Sequence, residues 1–425
     1  MKTWIPALAV GALSLAAPIA AGAPSLGATA PEIIVPQGFR ATVVFDGEGP
    51  ARHIAFNSRG DLYVSSQFRN ESAAGTPIKS ILALRDTDHD GRFDDAERFS
   101  TVKGTGIRFH EGHLYVTSAT NLYRYSFQGD ELTPSEPPEV LVAGLPEEGF
   151  SSRAIAFDDH GGVFISIGAS GNVCTDKPGL EGKPLDPCPD LADRAGIWRY
   201  DAGRTGQKHP IDGERYATGV RDTQALAWDA ADQNLYTVLQ GRNGLNNGGS
   251  KQYSADDSAK GVAEEMHRVT KGANLGWPYS HFDGRTMQRL MAPEYGGGPG
   301  DVITDQSYAT PVAVFPAHSS PLDIVFYDGG RFPVAYRGGA FVAFQGGFGG
   351  VTPQNGYNVW FVPRSPGKDF AEPVIFADGF AGSERMPQTA KYRPSGLAIA
   401  PNGALYIVES KTGRIWRIDY QEAAE

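Results

Sequence analysis

Six times along the chain, a short apolar strand with a small or central polar residue is followed by a turn and a second strand opening on Leu-Tyr or a similar pair. The pairs are Ile54-Ala55-Phe56 with Leu62-Tyr63-Val64, Ile107-Arg108-Phe109 with Leu114-Tyr115-Val116, and Ile155-Ala156-Phe157 with Val163-Phe164-Ile165. They continue as Leu226-Ala227-Trp228 with Leu235-Tyr236-Thr237, Ile324-Val325-Phe326 with Ala340-Phe341-Val342, and Leu397-Ala398-Ile399 with Leu405-Tyr406-Ile407. Four of the repeats run on into a third strand, at residues 122–125, 196–200, 358–361 and 414–418. One small sheet cannot bury both of its apolar faces alone, so sheets repeated at this spacing predict stacked blades. The fold class read from this pattern is all-β, a six-bladed β-propeller of four-stranded antiparallel blades. Residues 38–45 form a further strand, placed to complete the last blade and close the ring without exposed edges. Long insertions at residues 175–195, 244–263 and 284–307 fit loops carried by blades better than an elongated solenoid.

Composition agrees: 53 glycines, 30 prolines and 11% aromatic residues suit short strands and tight turns. The N-terminus changes the picture of where the protein works. Lys2, an apolar run over residues 4–19 and Ala21-Gly22-Ala23 read as an export signal with its cleavage site. The predicted organisation is a signal over 1–23, a flexible leader over 24–31, one propeller domain over 32–420 and a tail over 421–425. The location is then periplasmic or secreted. No later segment is apolar and long enough for a membrane span. A formal net charge of −11 argues against nucleic acid and anionic membranes as partners. In an oxidising compartment Cys174 and Cys188 are expected to form a disulfide, worth about 3 kcal/mol for a loop of about fifteen residues.

Residues 86–97, DTDHDGRFDDAE, fill the slots of a twelve-residue calcium loop. Asp86, Asp88, Asp90, the Arg92 carbonyl, Asp94 and Glu97 are the predicted ligands. A strand, not a helix, precedes the loop, so a constitutive structural ion is expected in place of a sensor.

Residues just before each first strand crowd one mouth of a propeller. Here they are Arg52 and His53, Lys103, Phe150, Arg221 and Asp222, His318 and Ser319, and Lys391 and Arg393. Cations, an acid, a histidine and an aromatic converging on one funnel suit a planar, anionic ligand, because arginine forks pair with carboxylates.

In Gly219-Val220-Arg221-Asp222, Gly241-Arg242-Asn243, Leu275-Gly276-Trp277-Pro278-Tyr279, Phe326-Tyr327-Asp328-Gly329, Tyr336-Arg337-Gly338-Gly339-Ala340-Phe341 and Tyr392-Arg393-Pro394 the chain resembles a known family. It is similar to the exported pyrroloquinoline quinone (PQQ)-dependent sugar and aldehyde dehydrogenases, over residues 31–418. The resemblance implies hydride transfer from a small sugar or aldehyde to PQQ, with calcium beside the quinone and an external electron acceptor. It implies that Arg221, Lys391 and Arg393 hold the quinone, and that Gly241 and Arg242 offer oxygens to the catalytic calcium, Arg242 also lying at the cofactor. The chain departs from that pattern at three places. Phe150 stands where the family carries its base, a histidine; Asp222 follows Arg221 in place of asparagine; residues 345–350 are glycine-rich where relatives are polar. His318 and Asp222 are then the candidate substitutes for the base. Two other readings stay open: a propeller that binds a carbohydrate or anion without redox chemistry, and a metal-dependent lactonase using Asp222 and Asp323.

Overall fold

The period-two alternation of the strands decides the architecture. In Leu62–Ser65, Leu62 and Val64 pack on one side of the sheet and Tyr63 on the other, and all three are buried. Both faces of each sheet are therefore apolar, and each must be covered by a neighbour. The computed structural model describes residues 33–66, 79–177, 182–246, 252–347, 354–364 and 369–421. It shows a six-bladed propeller, with one hydrophobic cluster between each pair of adjacent blades. The signal and leader readings, Phe348 to Gly350 and residues 422–425 lie outside the described residues.

The innermost strands are Ile54–Phe56, Ile107–His110, Ile155–Phe157, Ala225–Asp229, Pro321–Phe326 and Pro394–Ile399, for blades 1 to 6 in that order. Each neighbours the next around the axis, and the last meets the first. Closure comes as the alternation predicts: Phe39–Phe45 pairs antiparallel with Ile415–Tyr420 as the outer strand of blade 6. Blades 2 and 3 depart from four strands. Each gains a short parallel strand lent by its successor in sequence, Gln207–Lys208 and Ala273–Asn274.

Long insertions build up one face of the ring. The blade 3 insertion carries the predicted disulfide, Cys174–Cys188. The bridge packs with Phe150, Trp277 and Tyr279, and the Tyr279 hydroxyl accepts from the Cys188 amide at 3.1 Å. Blade 4 contributes the helix Ala255–Lys260, started by a capping box between Ser254 and Asp257, and the hairpin Ser280–Asp283 with Gln288–Met291.

Candidate active site

On that face the entrances to the inner strands of blades 4 and 5 enclose a cavity of about 430 Å³. Its wall includes Arg221, Gly241, Asn243, Glu264, His318 and Ser320.

Arg221 is 7% exposed, and its guanidinium lies 4.4 Å from the centre of the Phe150 ring. Its Nε donates to Asn172 Oδ1 at 2.9 Å, and Nη1 reaches the Gln240 carbonyl at 3.4 Å. Burial pushes the guanidinium below its ordinary value, while Asp222 and Glu264 oppose that shift. Phe150, at the position where the resemblance implies a histidine, thus supplies a ring face to the cation.

Glu264 faces the same space and was not singled out by the sequence pattern. Its Oε2 accepts from the Gly241 amide at 2.7 Å and its Oε1 from the Ser320 amide at 3.2 Å, tying blade 4 to blade 5. Burial pushes its carboxyl up to about 7, against those hydrogen bonds and the field of Arg221. The available signal was the pair of adjacent acids that opens the strand Glu264–Val269, both of them buried. A carboxyl raised in the folded state favours folding below its unfolded value, and that contribution is lost as pH rises toward 7. In the unfolding free energy, Glu264→Gln should gain on the wild type by about 3 kcal/mol between about pH 4.5 and about pH 7.5. Urea unfolding in calcium-free buffer at the two pH values checks this; a difference that does not move with pH contradicts it.

His318 stands in the left-handed region at φ 57°, as does Ser320 at φ 58°. Non-glycine residues there store strain, and such positions cluster at ligand sites. His318 Nε2 donates to the Ser258 carbonyl at 2.8 Å, and Nδ1 lies 3.1 Å from Asn243 Oδ1. The hydroxyl oxygen of Ser320 is buried without a hydrogen-bond partner among the described residues.

Four other residues from the sequence reading sit off the wall. Asp222 is buried behind it, and its Oδ1 has no hydrogen-bond partner among the described residues. Burial raises its carboxyl to about 6, opposed by Arg221, Arg153 and Arg52. Arg242 makes a buried bidentate pair with Glu294, at 2.5 and 2.8 Å, which turns its side chain into the blade 4 insertion. Arg393 donates to the carbonyls of Gln345, Gly346 and Gly347, at 3.1, 2.7 and 3.0 Å. Gly346 permits that grip: at φ 85°, a Cβ there would lie 2.4 Å from the Tyr357 ring. Lys391 is exposed, its ammonium 5.1 Å from the Tyr392 ring centre.

Along the axis, Asp323 is fully buried and accepts from Arg108 at 2.6 Å and from the Leu397 amide at 2.9 Å. At the opposite end of blade 1, Asp86, Asp88 and Asp90 bring carboxylate oxygens within 4.8 Å of one another. Asp94 instead accepts from Thr87, and Glu97 is exposed on the strand Asp95–Phe99; the Arg92 side chain donates to the Val43 carbonyl, which leaves its own carbonyl to the loop. A strand precedes the loop, as expected, and the strand Asp95–Phe99 begins within the loop's last three residues.

Residues 33–421 match the TrAA12-like family. The chain belongs to that family. Among solved structures, this TrAA12-like chain is similar to a Trichoderma reesei carbohydrate-active enzyme of family AA12, at 17% identity and a TM-score of 0.73, over 94% of this chain and 100% of that one. It is similar to the PQQ domain of pyranose dehydrogenase from Coprinopsis cinerea, at 16% identity and 0.69, over 91% and 97%. PQQ-bound aldose sugar dehydrogenase from Streptomyces coelicolor is more distant in shape, at 18% identity and 0.56, over 91% and 99%. No curated protein matches the sequence. Among the described residues, no helix is long and apolar enough to cross a membrane.

Proposed function

We propose that this TrAA12-like protein is an exported, PQQ-dependent oxidoreductase that oxidises a sugar or aldehyde, assisted by calcium, and passes the electrons to an external acceptor. One observation carries the reading: a buried arginine backed by an aromatic ring on the wall of a cavity at the mouth of the ring. A volume of about 430 Å³ suits a compact ligand. PQQ is planar and carries carboxylates, and Arg221 offers it a positioned guanidinium. The Glu264 carboxylate, beside the Gly241 backbone, offers oxygen on that wall to a calcium ion. Arg221 thus fits the quinone, and Glu264 supplies one ligand of a calcium shell.

When bound, the quinone supplies a hydride acceptor and calcium a Lewis acid beside it. The chain's own part is to position and to move a proton. Asn246, Gln354 and Asn355 line the cavity with amide donors and acceptors that suit a hydroxyl-rich molecule. As the substrate carbon loses its C–H bond and electron pair, its hydroxyl takes the place of the Asn243 side chain on the single lone pair of His318 Nδ1 and leaves its proton there. The resulting imidazolium donates to the Ser258 carbonyl and to Asn243 Oδ1. The lactonase reading has less support. Asp323 is held by Arg108, and among the described residues the one group of three potential metal ligands is Asp86, Asp88 and Asp90, away from the cavity.

Reconstitution with PQQ and calcium, followed by dye reduction across a panel of aldoses, tests the proposal. Sugar-dependent reduction that needs PQQ is the expected result. Quinone binding with no turnover on any sugar or aldehyde defeats the oxidoreductase reading and leaves a binding propeller.

We also assign a structural calcium to the loop at Asp86, Asp88 and Asp90, where Asp86 Oδ1 is buried without a hydrogen-bond partner. The loop is docked against the closing blade: the Phe93 amide donates to the Val44 carbonyl at 3.1 Å, and Arg417 to the Gly91 carbonyl at 3.0 Å. Calcium at about 100-fold over its dissociation constant adds about 2.7 kcal/mol. Chelation should therefore lower the melting temperature by roughly 3 °C. Asp88→Ala should abolish that difference; equal chelator shifts in variant and wild type contradict the assignment.

A further inference from the structure

We infer that Asn172 is a positioning residue for this site, setting both the Arg221 guanidinium and the His318 partner Asn243. The inference rests on the proposed function for its ligand, while its geometry rests on the chain's own hydrogen bonds. Asn172 comes from the blade 3 insertion, two residues before Cys174, whereas Arg221 and Asn243 belong to blade 4 and His318 to blade 5.

One side-chain amide makes three hydrogen bonds there. Its Oδ1 accepts from Arg221 Nε at 2.9 Å and from the Asn243 amide at 2.9 Å, and its Nδ2 donates to the Asn243 carbonyl at 2.9 Å. The Asn243 backbone is thus clamped at both its donor and its acceptor, and Asn243 Oδ1 meets His318 Nδ1. Asn172 is itself anchored, since its carbonyl accepts from Trp277 Nε1 at 3.1 Å and the Trp277 ring packs against the disulfide. Neither an aliphatic side chain nor a hydroxyl can make this pattern; it needs an acceptor with two lone pairs and a donor on one planar group.

Two measurements test the assignment. In the unliganded protein, hydrogen exchange of peptides covering residues 241–246 reports the clamp directly. Asn172→Ala should speed that exchange, and Asn172→Asp, which retains the acceptor for both N–H groups, should keep more of the protection. Titration with PQQ in calcium is the second readout. Affinity should fall about tenfold in Asn172→Ala, the loss of one charge-assisted hydrogen bond, and stay within about threefold in Asn172→Asp at an unchanged melting temperature. Wild-type exchange over 241–246 in Asn172→Ala overturns the inference, as does wild-type PQQ affinity in that variant. If wild-type protein takes no PQQ, the proposed function fails, while the exchange result still decides the role of Asn172.

Discussion

Arg221→Leu is expected to lower PQQ affinity by about 10²- to 10³-fold, the cost of removing one partner from a buried, charge-compensated group. Arg221 is nearly inaccessible outside the cavity, and its orientation is held by the Phe150 face, Asn172 and the Gln240 carbonyl. Its charge also balances Asp222 and Glu264, which burial already pushes toward their neutral forms. Removing the guanidinium therefore takes away the ligand's cation and leaves two acids less compensated. Arg221→Lys separates the two effects. It restores the charge but not the planar fork, so folding should recover while affinity stays about tenfold below wild type. Isothermal titration beside a thermal melt reads both quantities; full affinity in Arg221→Leu would show that the cavity is not the quinone site.

His318→Gln should lower turnover by about 10²- to 10⁴-fold, the usual contribution of a positioned general base. Glutamine keeps a donor for the Ser258 carbonyl but has no group that takes a proton near neutral pH. Quinone affinity should remain within about threefold of wild type, because His318 is assigned to the proton and not to the cofactor. Steady-state kcat together with a PQQ titration separates these outcomes. Turnover equal to wild type would leave the proton to another wall group, and Glu264 is the carboxyl on the cavity wall among the described residues.

The repeats made the fold legible because propeller blades bury both faces, so each strand advertises its alternation twice. Leu62, Tyr63 and Val64 contribute to two different interblade clusters, and the same holds around the ring. The closing strand was equally readable, since Phe39–Phe45 has no partner of its own in the first repeat. The site was less legible, for a physical reason. Position before an inner strand tells which residues approach the mouth, but not where a long side chain turns. Arg242 turns to Glu294, fifty-two residues later in an insertion, and Arg393 to three carbonyls of one loop. Local sequence carries neither contact. Glu264 lies inside a strand and Asn172 in an irregular insertion, and both act through backbone amides that leave no trace in residue type. Phe150, by contrast, was noticed as a departure, and the structure gives it a contact in the stack on Arg221.

The same arrangement explains why the two calcium assignments are separable. The acidic loop joins blade 1 to the closing strand through Phe93 and Val44, whereas Glu264 joins blade 4 to blade 5 through the Ser320 amide beside the cavity. Changes in the loop should act on stability, and changes at the cavity on ligand binding.

The central claim is that the cavity around Arg221 takes PQQ. Titrating the protein with PQQ in the presence of calcium, while following the quinone absorbance, tests it most directly. One equivalent bound at micromolar concentration or below, weakened at least 10²-fold by Arg221→Leu, is the predicted result. No saturable binding at those concentrations, or binding indifferent to Arg221, would contradict it.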